Sequence, residues 1–411
     1  MAALPGSAQP PRVIVGVTGG IAAFKACEVI RRVKEAGADV VVVPTLAALR
    51  FVGEATFAAL SGNPVATDIW GDVQDVPHVA LGRSADVVVV VPATADFLAR
   101  TAQGRADDLL GATLLTTRAP VLVVAAMHTE MWEHVATQAN VRTLRERGMV
   151  VLEPAVGRLT GPDSGKGRLP EPAEIAEVVL QAMRRGRVAP DLGGRHVVVS
   201  AGGTREAIDP VRFIGNHSTG RQGYAIAAMA AGRGARVTLV SANVSLPAPA
   251  GVDVVEVVSA VDLDRAMHAV AASADILVMA AAVADFSPLG AADHKIKKGA
   301  APTSIALREN RDVLRSLVEG RRPGQVIVGF AAETGDADGS VLDHARRKLA
   351  SKGCDLLVVN DVSGDEAFGS VTNTVTILTA NGSQQAYQSM SKAAVADALL
   401  DAITEQFSRT Q

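Results

Sequence analysis

Cysteine is almost absent from this chain of 411 residues: Cys27 and Cys354 are the two present, and neither a CxxC nor an HExxH pattern occurs. That excludes a disulfide framework and a structural zinc site, and it predicts a reduced, cytoplasmic setting. An excess of either charge is also lacking. Lys and Arg total 40 against 43 Asp and Glu, a formal net charge of -3, and the cations are spread among the acids. No basic face for nucleic acid follows from such a distribution. Long apolar runs are missing too: none approaches the roughly 18 to 20 residues that span a bilayer. The start, MAALPGSAQPPR, has no apolar core of a signal peptide and is expected to fray before the first strand. The chain reads as a soluble protein with neither nucleic acid nor membrane as a partner.

What is abundant is valine in short runs. Val13–Val17, Asp39–Val43, Asp86–Val91 and Val121–Ala125 alternate with helical patterns such as Ile21–Ala36. Continuous apolar strands separated by helices predict a parallel sheet covered on both faces. The pattern restarts at His196–Ser200 and continues through Arg236–Ser241, Asp275–Val283, Val326–Phe330, Asp355–Asn360 and Thr374–Leu378. The length predicts two domains of roughly 190 to 220 residues. Gly, Pro and charge interrupt the periodicity in MRRGRVAPDLGGR, so the boundary is placed near Pro190, giving domains 1–190 and 191–411. The fold class is α/β, with two doubly wound, Rossmann-like parallel-sheet domains.

In the second domain the strand HVVVS runs into AGGTREAIDPVRFIGNHSTGRQG, and a helical pattern follows. Gly202 and Gly203 permit a tight turn and close approach to a phosphate. Gly215, Gly220 and Gly223 space a second polar turn that offers Asn216, Ser218, Thr219 and Arg221 as donors. Further on, the strand ILVMAAAV ends in Asp285, and a loop then supplies KIKK at Lys295–Lys298. In the first domain GVTGGIAAFKA puts Thr18, Gly19 and Gly20 where a strand meets a helix, a place suited to one phosphate. Thr45 and the turn Pro92-Ala93-Thr94 fall at the same carboxyl edge, where ligands of such sheets bind. Each threonine taken alone is also an ordinary helix cap.

Taken in order, GNHSTGRQG, AAAVADF, KIKK and GFAAET closely resemble the phosphopantothenate–cysteine ligase half of the bifunctional coenzyme A biosynthesis proteins. The first domain resembles the other half, the phosphopantothenoylcysteine decarboxylases, which are flavodoxin-like flavoproteins. The resemblance covers nearly the whole chain. It implies ligation of 4'-phosphopantothenate to L-cysteine through an acyl-cytidylate made from CTP with Mg2+. Decarboxylation to 4'-phosphopantetheine with FMN would follow. It carries Gly202, Gly203, Ala281, Ala282, Asp285, Lys295, Asn310, Arg311, Asp312, Val313, Phe330, Lys348 and Lys352 into the CTP site. Lys295 would stabilise the charge that develops in acyl-cytidylate formation, and Asn216 would hold the acyl group when cysteine attacks. Asp285 would contact the nucleotide or its metal. Lys348 and Lys352, four apart, share one helical face.

For the decarboxylase the resemblance assigns FMN to Thr18, Gly19, Gly20, Thr45, Ala93 and Thr94, and the general base to His78, whose imidazole can exchange a proton at neutral pH. Flavin oxidation of the thiol carbon would give a thioaldehyde beta to the carboxylate, an electron sink for loss of carbon dioxide. Reduced flavin would then return the enethiolate to the saturated thiol. Two departures stand out. The family's substrate clamp reads AAMHTEMW here, with His128 where asparagine is usual; His128 can donate one hydrogen bond or carry a charge. In the segment resembling the active-site flap, Pro154–Pro172, Gly161 replaces a proton-donating cysteine, and Asp163 is the nearest ionisable side chain. The flap glycines suit a lid or an ordinary loop alike. The family implies homo-oligomers: flavin-domain trimers gathered into larger shells such as a dodecamer, with ligase domains paired as dimers. Two alternatives remain. A regulatory flavoprotein that has lost decarboxylase activity would account for the altered flap and clamp, though His78 is intact. An NAD-dependent oxidoreductase lacks support, since neither domain has a full GxGxxG or an acid ending its second strand.

Overall fold

Each valine-rich run becomes a buried strand of a sheet. The computed structural model describes residues 10–67, 76–159, 163–185, 191–297, 304–333, 339–361 and 372–410. Pro190 and Gly161 lie outside them. The chain divides into two compact units, Met1–Gly193 with Ala231–Gly234 and Pro249–Gly251, and Gly194–Ala230 with Ala235–Ala248 and Val252–Gln411.

In the first unit β1 (Arg12–Val17), β2 (Asp39–Pro44), β3 (Val87–Ala93), β4 (Val121–Ala125) and β5 (Val150–Leu152) form a sheet of order β2-β1-β3-β4-β5. Every pairing is parallel. This is the flavodoxin-type doubly wound order. The two-residue period of a strand assigns the side chains to faces. Val13, Val15 and Val17 pack with Ile30, Phe57 and Ile175, while Ile14, Val88 and Val90 pack with Phe97, Leu110 and Leu144 on the other side. After β5 comes an antiparallel hairpin of β6 (Ala155–Arg158) and β7 (Ser164–Arg168).

The second unit contains β8 (His196–Gly202), the ribbon β9 (Arg205–Ala207) with β10 (Phe213–Gly215), β11 (Arg236–Ala242), β12 (Val252–Val257) and β13 (Ile276–Met279). It continues with the ribbon β14 (Phe286–Pro288) and β15 (Leu307–Glu309), then β16 (Val326–Glu333), β17 (Leu356–Asp361), β18 (Thr372–Thr379) and β19 (Gln384–Ser391). The main sheet has the order β12-β11-β8-β13-β16-β17-β18-β19. It is parallel as far as β17, but β17–β18 and β18–β19 are antiparallel, which corrects the expectation of a wholly parallel sheet. Between β18 and β19 the cause is local: Ala380–Ser383 is too short for a crossover, and Gly382 at φ 88° closes a hairpin. The strand expected to reach Val283 stops at Met279, where the Ala280 N–H turns back to Val278 O at 3.2 Å, and pairing with the β8 end resumes only at the Gly203–Ala282 bridge. Among the described residues no helix is long and apolar enough to cross a membrane.

At the start of β8, His196 is 4% exposed, with Nε2 2.9 Å from Thr238 Oγ1 and Nδ1 3.1 Å from Ser273 O. Burial pushes its imidazole below the ordinary value. The unfolded chain therefore binds the proton more tightly than the fold does. The second unit should hold its full stability above pH about 6.5 and lose part of it as the pH falls through the lowered folded value. Thermal melts from pH 7.5 to 5 check this: His196→Gln should melt lower throughout but with a flatter pH dependence over that range. An unchanged slope would assign the acid sensitivity to other groups.

Candidate active sites

In the first unit the chain moves from β1 to one side of the sheet and from β3 to the other, so a crevice opens between their carboxyl ends. Thr18 staples this crevice: its hydroxyl donates to Pro92 O at 2.7 Å and accepts from the Thr94 N–H at 3.1 Å. Gly19 is required because a Cβ there would lie 2.4 Å from Ala47 Cβ. The following helix, Ala23–Glu35, has no side-chain cap; the Ala23 and Lys25 N–H groups turn back to Gly20 O and Ala22 O at 2.9 and 3.0 Å, and its amino end with the positive end of its dipole faces the glycine turn. A cavity of about 670 Å³ lies over this turn, with Ile21, Phe24, Met127 and Met131 as apolar walls and Lys25, Arg158 and Arg168 supplying positive charge. A planar apolar ring bearing a phosphate fits that lining. A larger cleft of about 1460 Å³, among Arg12, Asp39, Asp86 and Arg118, lies at the amino edge of the sheet, away from the glycine turn.

Of the residues expected to hold FMN, Gly19, Gly20 and Thr94 line the cavity, whereas Thr18, Thr45 and Ala93 do not. Thr18 braces the turn from beneath. Thr45 Oγ1 accepts from the Ala48 N–H at 3.2 Å, and Thr94 caps helix Ala95–Ala102 by accepting from the Phe97 N–H at 3.3 Å. For these two the capping role is the observed one.

The flap hairpin closes another wall. Met127 N–H donates to Gly167 O at 3.0 Å, and Cβ atoms at Gly165 and Gly167 would lie 2.3 Å from Thr129 Oγ1 and 2.1 Å from Met127 O. These glycines exist for close approach to the clamp, so flexibility is not needed to account for them. Lys166 and Arg145 grip Glu153 at 2.7 and 3.0 Å, and they hold its carboxyl below the ordinary range although burial works the other way. His128 lines the cavity. Asp163 sits exposed at the hairpin turn and does not line the cavity. His78 also lies off the cavity, inside the first turn of helix Pro77–Ser84 rather than before it. Its carbonyl accepts from Thr116 Oγ1 at 2.7 Å, and its Nδ1 is buried without a partner among the described residues.

In the second unit the corresponding crevice separates β8 from β13. Gly202 has φ 85°, and a Cβ there would lie 2.0 Å from Ala242 O; at Gly203 one would lie 2.7 Å from Asn216 O. Around this turn the backbone is stitched to the segment after β13. Gly203 bridges Ala282, and the Ala284 N–H donates to Thr204 Oγ1 at 2.9 Å. Asn216 Nδ2 donates to Val283 O at 3.0 Å, and Asn310 Nδ2 donates to Ala284 O at 2.8 Å. Gly202, Gly203, Asn216, Ala282, Asp285 and Asn310 are thus brought together. Sequence reasoning missed Asn243, which adopts φ 54° at the end of β11 and donates to Gly203 O at 2.9 Å and Val258 O at 2.8 Å. An asparagine just past a strand, tolerant of the left-handed region, was the available signal.

Asp312 caps helix Val313–Glu319 and pairs with Lys352, which holds its carboxyl below the ordinary range against the effect of burial. Phe330 lies in β16, and Lys348 in helix Val341–Lys352. Arg311 reaches Asp264 at 3.3 Å. Asp285 is exposed, and among the described residues no group of three or more His, Cys, Asp or Glu could hold a metal.

Comparison with known proteins agrees with this division. Residues 1–184 match the family described as Flavoprotein, and residues 192–407 match the DNA/pantothenate metabolism flavoprotein C-terminal domain. The chain is 59% identical over 402 residues to the coenzyme A biosynthesis bifunctional protein CoaBC of Mycobacterium tuberculosis, covering 96% of each. Against the protein of that name from Bacillus subtilis it is 42% identical over 395 residues, covering 95% of this chain and 96% of the relative. A solved C-terminal domain of a CoaBC protein is 33% identical, with a TM-score of 0.46, and covers 54% of this chain and 100% of that one. With both units matched nearly end to end in single relatives, the chain belongs to the CoaBC family of bifunctional coenzyme A biosynthesis proteins.

Proposed function

We propose that the second unit joins 4'-phosphopantothenate to L-cysteine through an acyl-cytidylate made from Mg-CTP, and that the first unit decarboxylates the product to 4'-phosphopantetheine with FMN. The observation that carries this reading is the stitched crevice of the second unit, where Gly203, Asn216, Ala282 and Asn310 meet around one glycine turn. Attack of the substrate carboxylate on the α-phosphorus of CTP expels pyrophosphate. The cysteine amine then displaces CMP. Lys295 neutralises charge in the first step, and Asn216, anchored to Val283 O, positions the acyl group in the second. Exposed Asp285 would contact the nucleotide or its magnesium ion. Lys352, held by Asp312, and Lys348 belong to the helix behind the nucleotide segment.

In the first unit the cavity binds the flavin, and His128 on its rim faces the substrate carboxylate. Bound FMN supplies reversible oxidation of the thiol carbon, which provides an electron sink for the departing carboxylate. His78 exchanges the proton. Because His78 does not line its own chain's cavity, it serves the cavity of another copy, which makes the flavin unit an obligate oligomer. In the second unit, exposed Val211, Phe213, Phe286, Leu289, Ile305 and Leu307 on or beside the two ribbons offer an apolar face for pairing ligase units. A cytoplasmic setting fits the reduced thiols.

Purified protein given 4'-phosphopantothenate, cysteine, CTP and magnesium should yield the CMP adduct, the cysteine conjugate and the decarboxylated thiol in turn, by mass. Absence of a CTP-dependent conjugate would reject the ligase reading. His78→Asn should slow carbon dioxide release by about 100- to 10,000-fold and leave ligation intact. Co-expression of His78→Asn with His128→Ala should restore part of the decarboxylation that each lacks alone. No restoration would reject a base donated between copies. Lys295→Gln should lower pyrophosphate release by about 100- to 1,000-fold, whereas Asn216→Asp should release pyrophosphate and accumulate the acyl-cytidylate. Failure of both variants at one step would overturn the division of roles.

A further inference from the structure

Lys295 and Lys297 lie in a loop without regular secondary structure, yet the residue between them is pinned on both sides. The Ile296 N–H donates to Asp209 Oδ2 at 3.2 Å, and Arg212 Nη2 donates to Ile296 O at 3.0 Å. Four residues earlier, the Ala292 N–H donates to Ile208 O at 2.9 Å. All three bonds end in the turn between β9 and β10, which continues directly from the glycine turn at Gly202-Gly203. The centre of the arrangement is Asp209, whose side chain is 0% exposed. Its Oδ1 accepts from the Val211 N–H at 2.9 Å and the Arg212 N–H at 2.8 Å, while Oδ2 accepts from Arg212 Nε at 2.9 Å, from Arg212 Nη2 and from Ile296. The Arg212 guanidinium holds this carboxyl well below its usual range.

A turn needs none of this. An exposed Asp or Asn closes the same backbone loop with one oxygen, and an occluded carboxylate is tolerated where cations and N–H groups satisfy it. The second oxygen is directed to a residue 87 positions away in sequence. Both lysines beside that residue are exposed, so the anchor fixes their backbone and leaves their side chains for a ligand.

We propose that Asp209 is a positioning residue for the first ligase half-reaction: its carboxylate fixes Ile296 against the glycine turn and thereby sets where Lys295 stands relative to the phosphates. This rests on the reading of Lys295 as the cation of acyl-cytidylate formation. Asp209→Asn separates the two oxygens. An asparagine Oδ1 keeps the turn, but Nδ2 presents a donor to the Ile296 N–H and the guanidinium, so the bond to the loop is lost together with those to the Arg212 side chain. Ile296→Pro removes the same bond from the other end and keeps the Asp209 turn, which covers the case in which the asparagine variant fails to fold.

The experiment measures pyrophosphate release against CTP concentration in the full-length protein, with FMN content and decarboxylation of supplied cysteine conjugate as controls. Either variant should lower kcat for pyrophosphate release by about 10- to 100-fold, change KM for CTP much less, and leave the controls at wild-type values. Amide exchange in the peptide around Ala292–Lys297 should become faster in Asp209→Asn. Adding Asp209→Asn to Lys295→Gln should cause no further loss, since a group acting through Lys295 has nothing left to position. Wild-type kcat in both loop variants, or additive losses in the double variant, overturns the proposal while leaving Lys295 in place. Wild-type pyrophosphate release by Lys295→Gln overturns the Lys295 reading, and the role given to Asp209 falls with it.

Discussion

The constraint on which both units depend is the absence of a Cβ where the first strand of each sheet ends. A methyl group on Gly19 would fall 2.4 Å from Ala47 Cβ, and one on Gly202 would fall 2.0 Å from Ala242 O. In each case the obstacle belongs to the end of the second strand or the turn after it. The two strand ends close up, so the chain crosses the carboxyl edge with no side chain standing between them. Everything placed later in the sequence is arranged over that opening. In the first unit the clamp and flap hairpin close over it, and in the second the segment after β13 folds back onto it.

Polar satisfaction separates the two crevices. The second unit spends hydroxyl and amide groups on its own backbone: buried Thr204, half-buried Asn243 and Asn310 and exposed Asn216 each donate to or accept from a main-chain atom of the turn or the facing segment. Such a network fixes geometry before a ligand arrives. Its reach extends to the helices behind. Asp264, His268 and Ser316 lie in a row, with His268 3.1 Å from Asp264 and 3.2 Å from Ser316, and superficially this resembles a nucleophilic triad. The Ser316 hydroxyl, however, is 8% exposed and donates to Val313 O at 3.0 Å, so the row ties helix Ala260–Ala271 to helix Val313–Glu319 and steadies the Asn310–Val313 run. The first unit keeps more apolar wall and fewer internal polar bonds, as suits a cavity whose occupant brings its own donors and acceptors.

The legible part of the fold was what hydrophobic periodicity encodes. Buried parallel strands have nothing polar to hide in sequence, so RVIVGV and ILVM announce themselves, and the glycine turns follow by position. The three short ribbons were not legible because their residues, such as Phe213–Gly215 and Leu307–Glu309, form strands in answer to a partner and not to their own pattern. Site residues divide in the same way. Gly202, Gly203 and Asn216 could be named because main-chain geometry demands them. Thr45 caps a turn, and a threonine that does so and one that meets a phosphate look alike in sequence. Asp209 and Asn243 went unnoticed since their partners lie far away along the chain.

His78 shows where a single chain stops being the unit of explanation. Its Nδ1 is buried yet unpartnered among the described residues, and His78 does not line the cavity of its own unit. A buried imidazole nitrogen is costly until a donor or acceptor completes it. The same unit presents Leu46, Val135 and Val156 at 67 to 78% exposure, large apolar side chains that a lone domain has no use for. Burying such a surface against a second copy would satisfy both observations at once, since the contact that hides the apolar side chains can also deliver the imidazole. Catalytic competence of the flavin unit would then depend on assembly, while the bonds that gather Gly203, Asn216, Ala282 and Asn310 in the second unit all lie within one chain.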